Sequence, residues 1–226
     1  MDRSKKVPSR GLNRRKFLEI LSLVSAAGFL PFKRTWAKTA SQNSGPRAGV
    51  ALAGIVKGAN DDVVADAVRY AAKAATDFSW LSKGDTVLIK IALNSGNPYP
   101  ATTDPVGIKT IVELLKKKGA GRVVVSDMAG VEHVKLYPDR ITGSTRELMN
   151  KSGIATAALA SGAELYFPEE DGWDAFFEDR PVSGSNWLAG IMVPKILNEV
   201  NHIVLMPRCG RHLLAGSTLG MKAVVG

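Results

Sequence analysis

An open, mostly parallel, doubly wound α/β sheet with helices on both faces is the fold that the sequence predicts, and three observations predict it. Apolar segments of strand length alternate with segments of helical periodicity along residues 49–226. The segment RVVVSD, from Arg122, is apolar without alternation, as a strand buried on both faces of a parallel sheet must be. Helix boundary signals stand where crossovers need them, with Asn60 ahead of one helical segment and Pro105 opening another that runs through lysines 116 to 118 to Gly119.

Taken in order, GVALAGIV from Gly49 reads as a short buried strand. Asn60 then caps a helix through DDVVADAVRYAAKAATDF, with Val63, Val64, Ala67, Val68 and Ala71 on its apolar face and Asp61 and Asp62 favoured by the dipole in its first turn. DTVLIKIAL is the next strand, and TDPVGIKTIVELLKKKGA the next helix, capped by Thr103 or Asp104. After RVVVSD, STRELMNKSG and IATAALASG read as two short helices and AELYF as a strand. The acidic, aromatic stretch PEEDGWDAFFEDRPVSGSNW reads as a loop or small hairpin, either a solvated loop or a lid or docking surface. LAGIMVP and HIVLMP are two further strands, linked by the helical PKILNEV, and Ser217 and Thr218 open a final helix. No internal repeat of 20 to 50 residues is present.

The first 37 residues carry a different message. They hold 9 lysines and arginines against 2 acids, so most of the formal charge of +9 belongs to them and only +2 to the rest. A nucleic-acid function therefore loses its main support. Arg14 and Arg15 precede an apolar stretch to about Phe32, diluted by Ser22, Ser25 and Gly28 and too short for a good permanent span. This pattern resembles a twin-arginine export signal with cleavage after Ala37, and residues 38–48 read as a polar linker. The expectation is an exported, periplasmic protein that engages the twin-arginine translocase and touches a membrane only through an uncleaved signal. The cofactor is not specified; the one cysteine, Cys209, cannot supply the roughly four thiolates of an iron–sulfur cluster, so no such cluster is held by this chain alone.

Ligands of open parallel sheets bind beyond the carboxyl ends of the strands. Lys90, Asn94, Asp127, Arg208 and His212 all follow strand ends and are expected to face one crevice. An ammonium that ends a buried strand needs a partner; Asp127, Asp104 or a ligand can supply it. Arg208, Thr218 and Lys222 are candidates to hold an anion, and His212 is the candidate acid–base. Cys209, His212 and His133 are weak metal candidates, and Cys209 with His212 a weak nucleophilic pair. No G-x-G-x-x-G or P-loop motif is present.

From Thr86 to the last residue, Lys90 and Asn94, Thr103–Asp104–Pro105, and the closing set Pro207, Arg208, His212, Thr218 and Lys222 resemble the bacterial and archaeal family named domain of unknown function 362. Members commonly carry proline after the first lysine and a lysine two residues after the arginine; here these positions are Ile91 and Gly210. The resemblance implies a longer domain, so the chain is expected to be incomplete at its C-terminus. Many relatives carry a ferredoxin-like cluster domain, which makes an iron–sulfur redox partner an expectation. The function expected from all this is an exported enzyme acting on an anionic small molecule, or coupled to redox chemistry, through a basic crevice. The alternative is a periplasmic solute- or cofactor-binding protein without turnover.

Overall fold

The computed structural model describes residues 49–130, 132–180, 190–212, 216–218, 220 and 223. Arg14, Arg15, Ala37 and Lys222 lie outside the described residues. Among the described residues no helix is long and apolar enough to cross a membrane.

The centre is a four-stranded sheet of β1 (Thr86–Ile91), β2 (Arg122–Ser126), β5 (Glu164–Tyr166) and β8 (His202–Met206), all parallel, in the spatial order β5-β2-β1-β8. This is the expected open α/β sheet. The chain steps from β1 to β2 to β5 in one direction and then returns to add β8 on the far side of β1. The topological switch point therefore lies between β1 and β8.

Alternation along β1 sorts its side chains between two unlike faces. Val87, Ile89 and Ile91 point into the main core with Val123 and Val125, beneath α2 (Pro105–Lys117), α3 (Thr145–Lys151) and α4 (Ile154–Ala160). Val87, Ile89, Ile91, Ile108 and Val112 are fully buried there, each contributing about 1.5–3 kcal/mol by removal from water. The helix α1 (Asp61–Ala75), capped by Asn60 through Val63 N–H, packs on α2. Asp104, not Thr103, caps α2 through Val106 N–H. The opposite face is thinner: Leu88 and Val124 pack on Ile196 from the 3-10 turn Lys195–Asn198.

Three local expectations change, and one element is new. Residues 49–56 form no strand, and Val50, Leu52 and Val56 stand exposed, because no strand among the described residues pairs with them. LAGIMVP does give a strand, β7 (Ile191–Pro194), but it pairs antiparallel with β6 (Phe176–Asp179) outside the main sheet. The acidic, aromatic stretch thus supplies β6, one strand of that pair, after two 3-10 turns at Pro168–Asp171 and Trp173–Ala175. Ser217 and Thr218 open no helix; they lie in β10 (Gly216–Thr218), paired antiparallel with β9 (Gly210–His212). The turn between His133 and Gly143 holds a small hairpin, β3 (Lys135–Leu136) and β4 (Ile141–Thr142), which the sequence pattern does not announce.

Candidate functional site

Lys90 is the fifth residue of β1 and, like Leu88, faces the thinly covered side. Asp127 follows the last residue of the neighbouring β2, where Lys90 is in register with Ser126. This register brings Lys90 Nζ to 2.6 Å from Asp127 Oδ1, with the two side chains only 19% and 5% exposed. The carboxylate is further held by Leu93 N–H on Oδ2 at 2.8 Å and Met128 N–H on Oδ1 at 2.9 Å. Asp127 thereby joins the chain leaving β1 to the chain leaving β2. Burial nonetheless pushes its carboxyl up to about 6, against the pull of Lys90 and the two amides. Of the two carboxylates that the sequence offered, Asp127 is the one Lys90 takes.

The pair forms the polar end of a cavity of about 500 Å³. Leu88 and, from β8, Ile203 and Leu205 form its floor, the β6–β7 hairpin supplies Phe176 and Ile191 among others, and Leu197 closes one side. The cavity wall is predominantly apolar; among the described residues that line it, only Lys90 and Asp127 carry charge. The hairpin's place here was not legible in advance, although the apolar pairs in FFED and IMVP were a usable signal for two facing strands.

Beyond Asp127, a buried chain of hydrogen bonds fixes the loop. Ala129 N–H donates to Thr145 Oγ1 at 3.1 Å, and Thr145 N–H donates to Glu169 Oε1 at 2.9 Å. Thr145 and Glu169 are 0% and 1% exposed, and Glu169 Oε2 is buried with no hydrogen-bond partner among the described residues. Neither residue stood out in the sequence, since a buried glutamate inside an acidic run looks like its solvated neighbours.

At the switch point, Thr103 spans the two strands that diverge. Its Oγ1 accepts from Ala92 N–H at 2.8 Å and donates to Met206 O at 2.8 Å. Arg208 leaves β8 just beyond; its Nη1 donates to Cys209 O at 3.4 Å. The Arg208 guanidinium also lies over Gly210, where a Cβ would come within 2.6 Å of it, so glycine at that position leaves the arginine its place. His212 ends β9 and Thr218 ends β10, opposite Gly210, on the hairpin that follows the same carboxyl edge. Asn94 is exposed in the turn after β1. His133 is exposed in the turn after β2, and Cys209 is an exposed free thiol. Among the described residues no group of three or more His, Cys, Asp or Glu side chains can hold a metal ion. Of the expected set, Lys90 and Asp127 are in contact, while Asn94 follows β1, Arg208 follows β8, and His212 and Thr218 lie in β9 and β10.

The opposite edge of the sheet holds a second pair. His202 Nε2 lies 2.8 Å from Asp85 Oδ2, and its ring meets Trp80 edge-on at 4.8 Å. A hydrogen bond from Ser82 N–H, then the one with His202, lowers the Asp85 carboxyl from its ordinary value. These residues tie the start of β1 to the start of β8.

A family model described as a domain of unknown function (DUF362) matches residues 87–226, which include Lys90, Asp127, the β6–β7 hairpin and β8. No curated protein and no solved structure matches the chain.

Proposed function

From the premise that this chain belongs to the family of domain of unknown function 362, we propose that it is an exported enzyme that moves a proton on a small anionic molecule bound at the carboxyl ends of β1 and β2. One observation carries the reading: a buried carboxyl, Asp127, titrating at about 6 and 2.6 Å from an ammonium, at the polar end of a cavity. A group with a pKa near the working pH is available in both protonation states, which is what general acid–base catalysis requires.

The roles follow from the atoms. Asp127 accepts or donates the proton at its carboxylate, and Lys90 supplies the positive charge that holds the substrate's negative group or steadies charge developing on it. Arg208, on the same edge, adds a second cation, and the Ala129–Thr145–Glu169 chain keeps the loop bearing Asp127 from shifting. His212 remains a second candidate for proton transfer through its place on β9. In the redox version of this function the electrons come from an iron–sulfur partner. Arg14 and Arg15 support export by the twin-arginine route, with cleavage after Ala37 and delivery to the periplasm.

The test is turnover. The protein purified from its own cell envelope is incubated with a mixture of small carboxylates and phosphate esters, and depletion is followed by mass spectrometry. Asp127→Asn is expected to abolish depletion of whichever compound the wild type consumes. Equal depletion by the variant removes Asp127 from the chemistry. Replacing Arg14 and Arg15 by lysine is expected to leave the precursor in the cytoplasm, because lysine lacks the planar guanidinium fork; unchanged delivery sinks the export reading.

A further inference from the structure

The cavity beside the pair has a chemistry that an anion site alone does not need. Its walls are aliphatic and aromatic, from Leu88, Phe176, Ile191, Leu197, Ile203 and Leu205, while all its charge sits at one end. Its volume of about 500 Å³ lies within the roughly 300–1,000 Å³ of small-molecule sites. A small, fully hydrated anion gains nothing from that wall, whereas a molecule with an apolar body and one anionic head satisfies both ends. Ile203 and Leu205 are 50% and 36% exposed, so an apolar body seated on them covers surface that water now touches.

We propose that this cavity binds an amphiphilic monoanion, its apolar body between the β6–β7 hairpin and β8 and its anionic head on Lys90, and that binding takes up one proton on Asp127. The inference rests on the site proposed above and names its ligand class, but it does not require turnover. Proton uptake follows from charge. While Asp127 is ionised, the pair is neutral overall and the carboxylate repels an incoming anion. Once Asp127 is protonated, the Lys90 charge is unopposed. No third charged group among the described residues lining the cavity competes with these two, and among the described residues the only other hydrogen bonds to the Asp127 carboxylate come from the neutral amides of Leu93 and Met128.

The probe is 8-anilinonaphthalene-1-sulfonate, whose sulfonate stays ionised across the pH range used, so any pH dependence belongs to the protein. Titrated into the full chain, it is expected to bind with 1:1 stoichiometry at pH 5 and to weaken about 100-fold by pH 8, which is tenfold per pH unit above the Asp127 pKa of about 6. Asp127→Asn is expected to bind at pH 8 as tightly as the wild type does at pH 5. Leu205→Trp fills the cavity from a position already 36% exposed, and is expected to remove binding at every pH with its circular dichroism unchanged. Binding that ignores pH in the wild type, or that survives Leu205→Trp, overturns the proposal, and the wild-type profile decides even if Asp127→Asn does not fold. The two readings fail separately. Turnover without pH-linked probe binding overturns the ligand class alone, and pH-linked binding without turnover overturns the enzyme alone.

Discussion

The two ends of the β1–β8 ribbon are built from the same parts and behave in opposite ways. Each end has a carboxylate paired with a nitrogen side chain, Asp85 with the His202 ring at the amino end and Asp127 with the Lys90 ammonium at the carboxyl end, at 2.8 and 2.6 Å. Each also has a polar side chain bridging the strands. Asn201 Oδ1 accepts from Thr86 N–H at one end, and Thr103 joins Ala92 N–H to Met206 O at the other. Yet the Asp85 carboxyl is lowered and the Asp127 carboxyl is raised. The contact distances run against this difference; desolvation decides it. Asp127 is 5% exposed and Asp85 18%, and a buried carboxylate loses more hydration than one ammonium and two amides return.

The sharpest way to break the comparison is to delete the cation. Lys90→Met leaves Asp127 buried without a counter-ion, and the expected loss is about 3–5 kcal/mol at pH 8. At pH 5 the carboxyl is neutral and the loss should be much smaller. Urea unfolding at both pH values checks this, and equal losses would mean that the pair is not what holds this end.

Next in size is the proton itself. The folded pKa of Asp127, about 6, lies above its ordinary 3.8, so the folded state binds this proton more tightly than the unfolded chain does. The stability it contributes is fully present below pH 4 and is lost as pH rises through 6, on the order of 3 kcal/mol for a shift of this size. Asp85 runs the other way: its contribution is present above its unfolded pKa and lost as pH falls through the lowered folded value. The difference in unfolding free energy between wild type and Asp127→Asn, followed from pH 4 to 8, should move in favour of the variant as pH rises.

Thr103→Val orphans a part-buried amide and a carbonyl together, at a cost of about 2–3 kcal/mol, while Asn201→Ala at the more exposed end should cost about 1 kcal/mol. Thr103→Ser should restore most of the loss, and thermal unfolding separates the three. The smallest effect belongs to Asp85→Asn, where water replaces the lost partner. A midpoint shift larger than that of Thr103→Val would reverse the ranking of the two ends.

How much of this was legible in sequence depends on the range of the interaction. The α2 cap, the parallel strands and the placing of Lys90 and Asp127 at neighbouring strand ends follow from local pattern and a short crossover. The β6–β7 hairpin does not, because its apolar pairs are too brief to separate a strand against a cavity from one within the sheet. GVALAGIV has the composition of a strand, but composition cannot say whether an edge is there to receive it. For Glu169 the difficulty is burial: an acidic run gives no sign of which carboxylate is turned inward.

Thr103 has a consequence for time as well as for energy. Its single hydroxyl proton is committed to Met206 O while its oxygen accepts from Ala92 N–H, so the two bonds cannot both be kept if β1 and β8 part at that end. The Ala92 amide exchanges with solvent only when Thr103 releases it, and its exchange rate is a clock for that release at the switch point. A molecule seated between the strand ends slows the clock whether or not it reacts. Because one amide reports that event, occupancy can be read before any substrate is known.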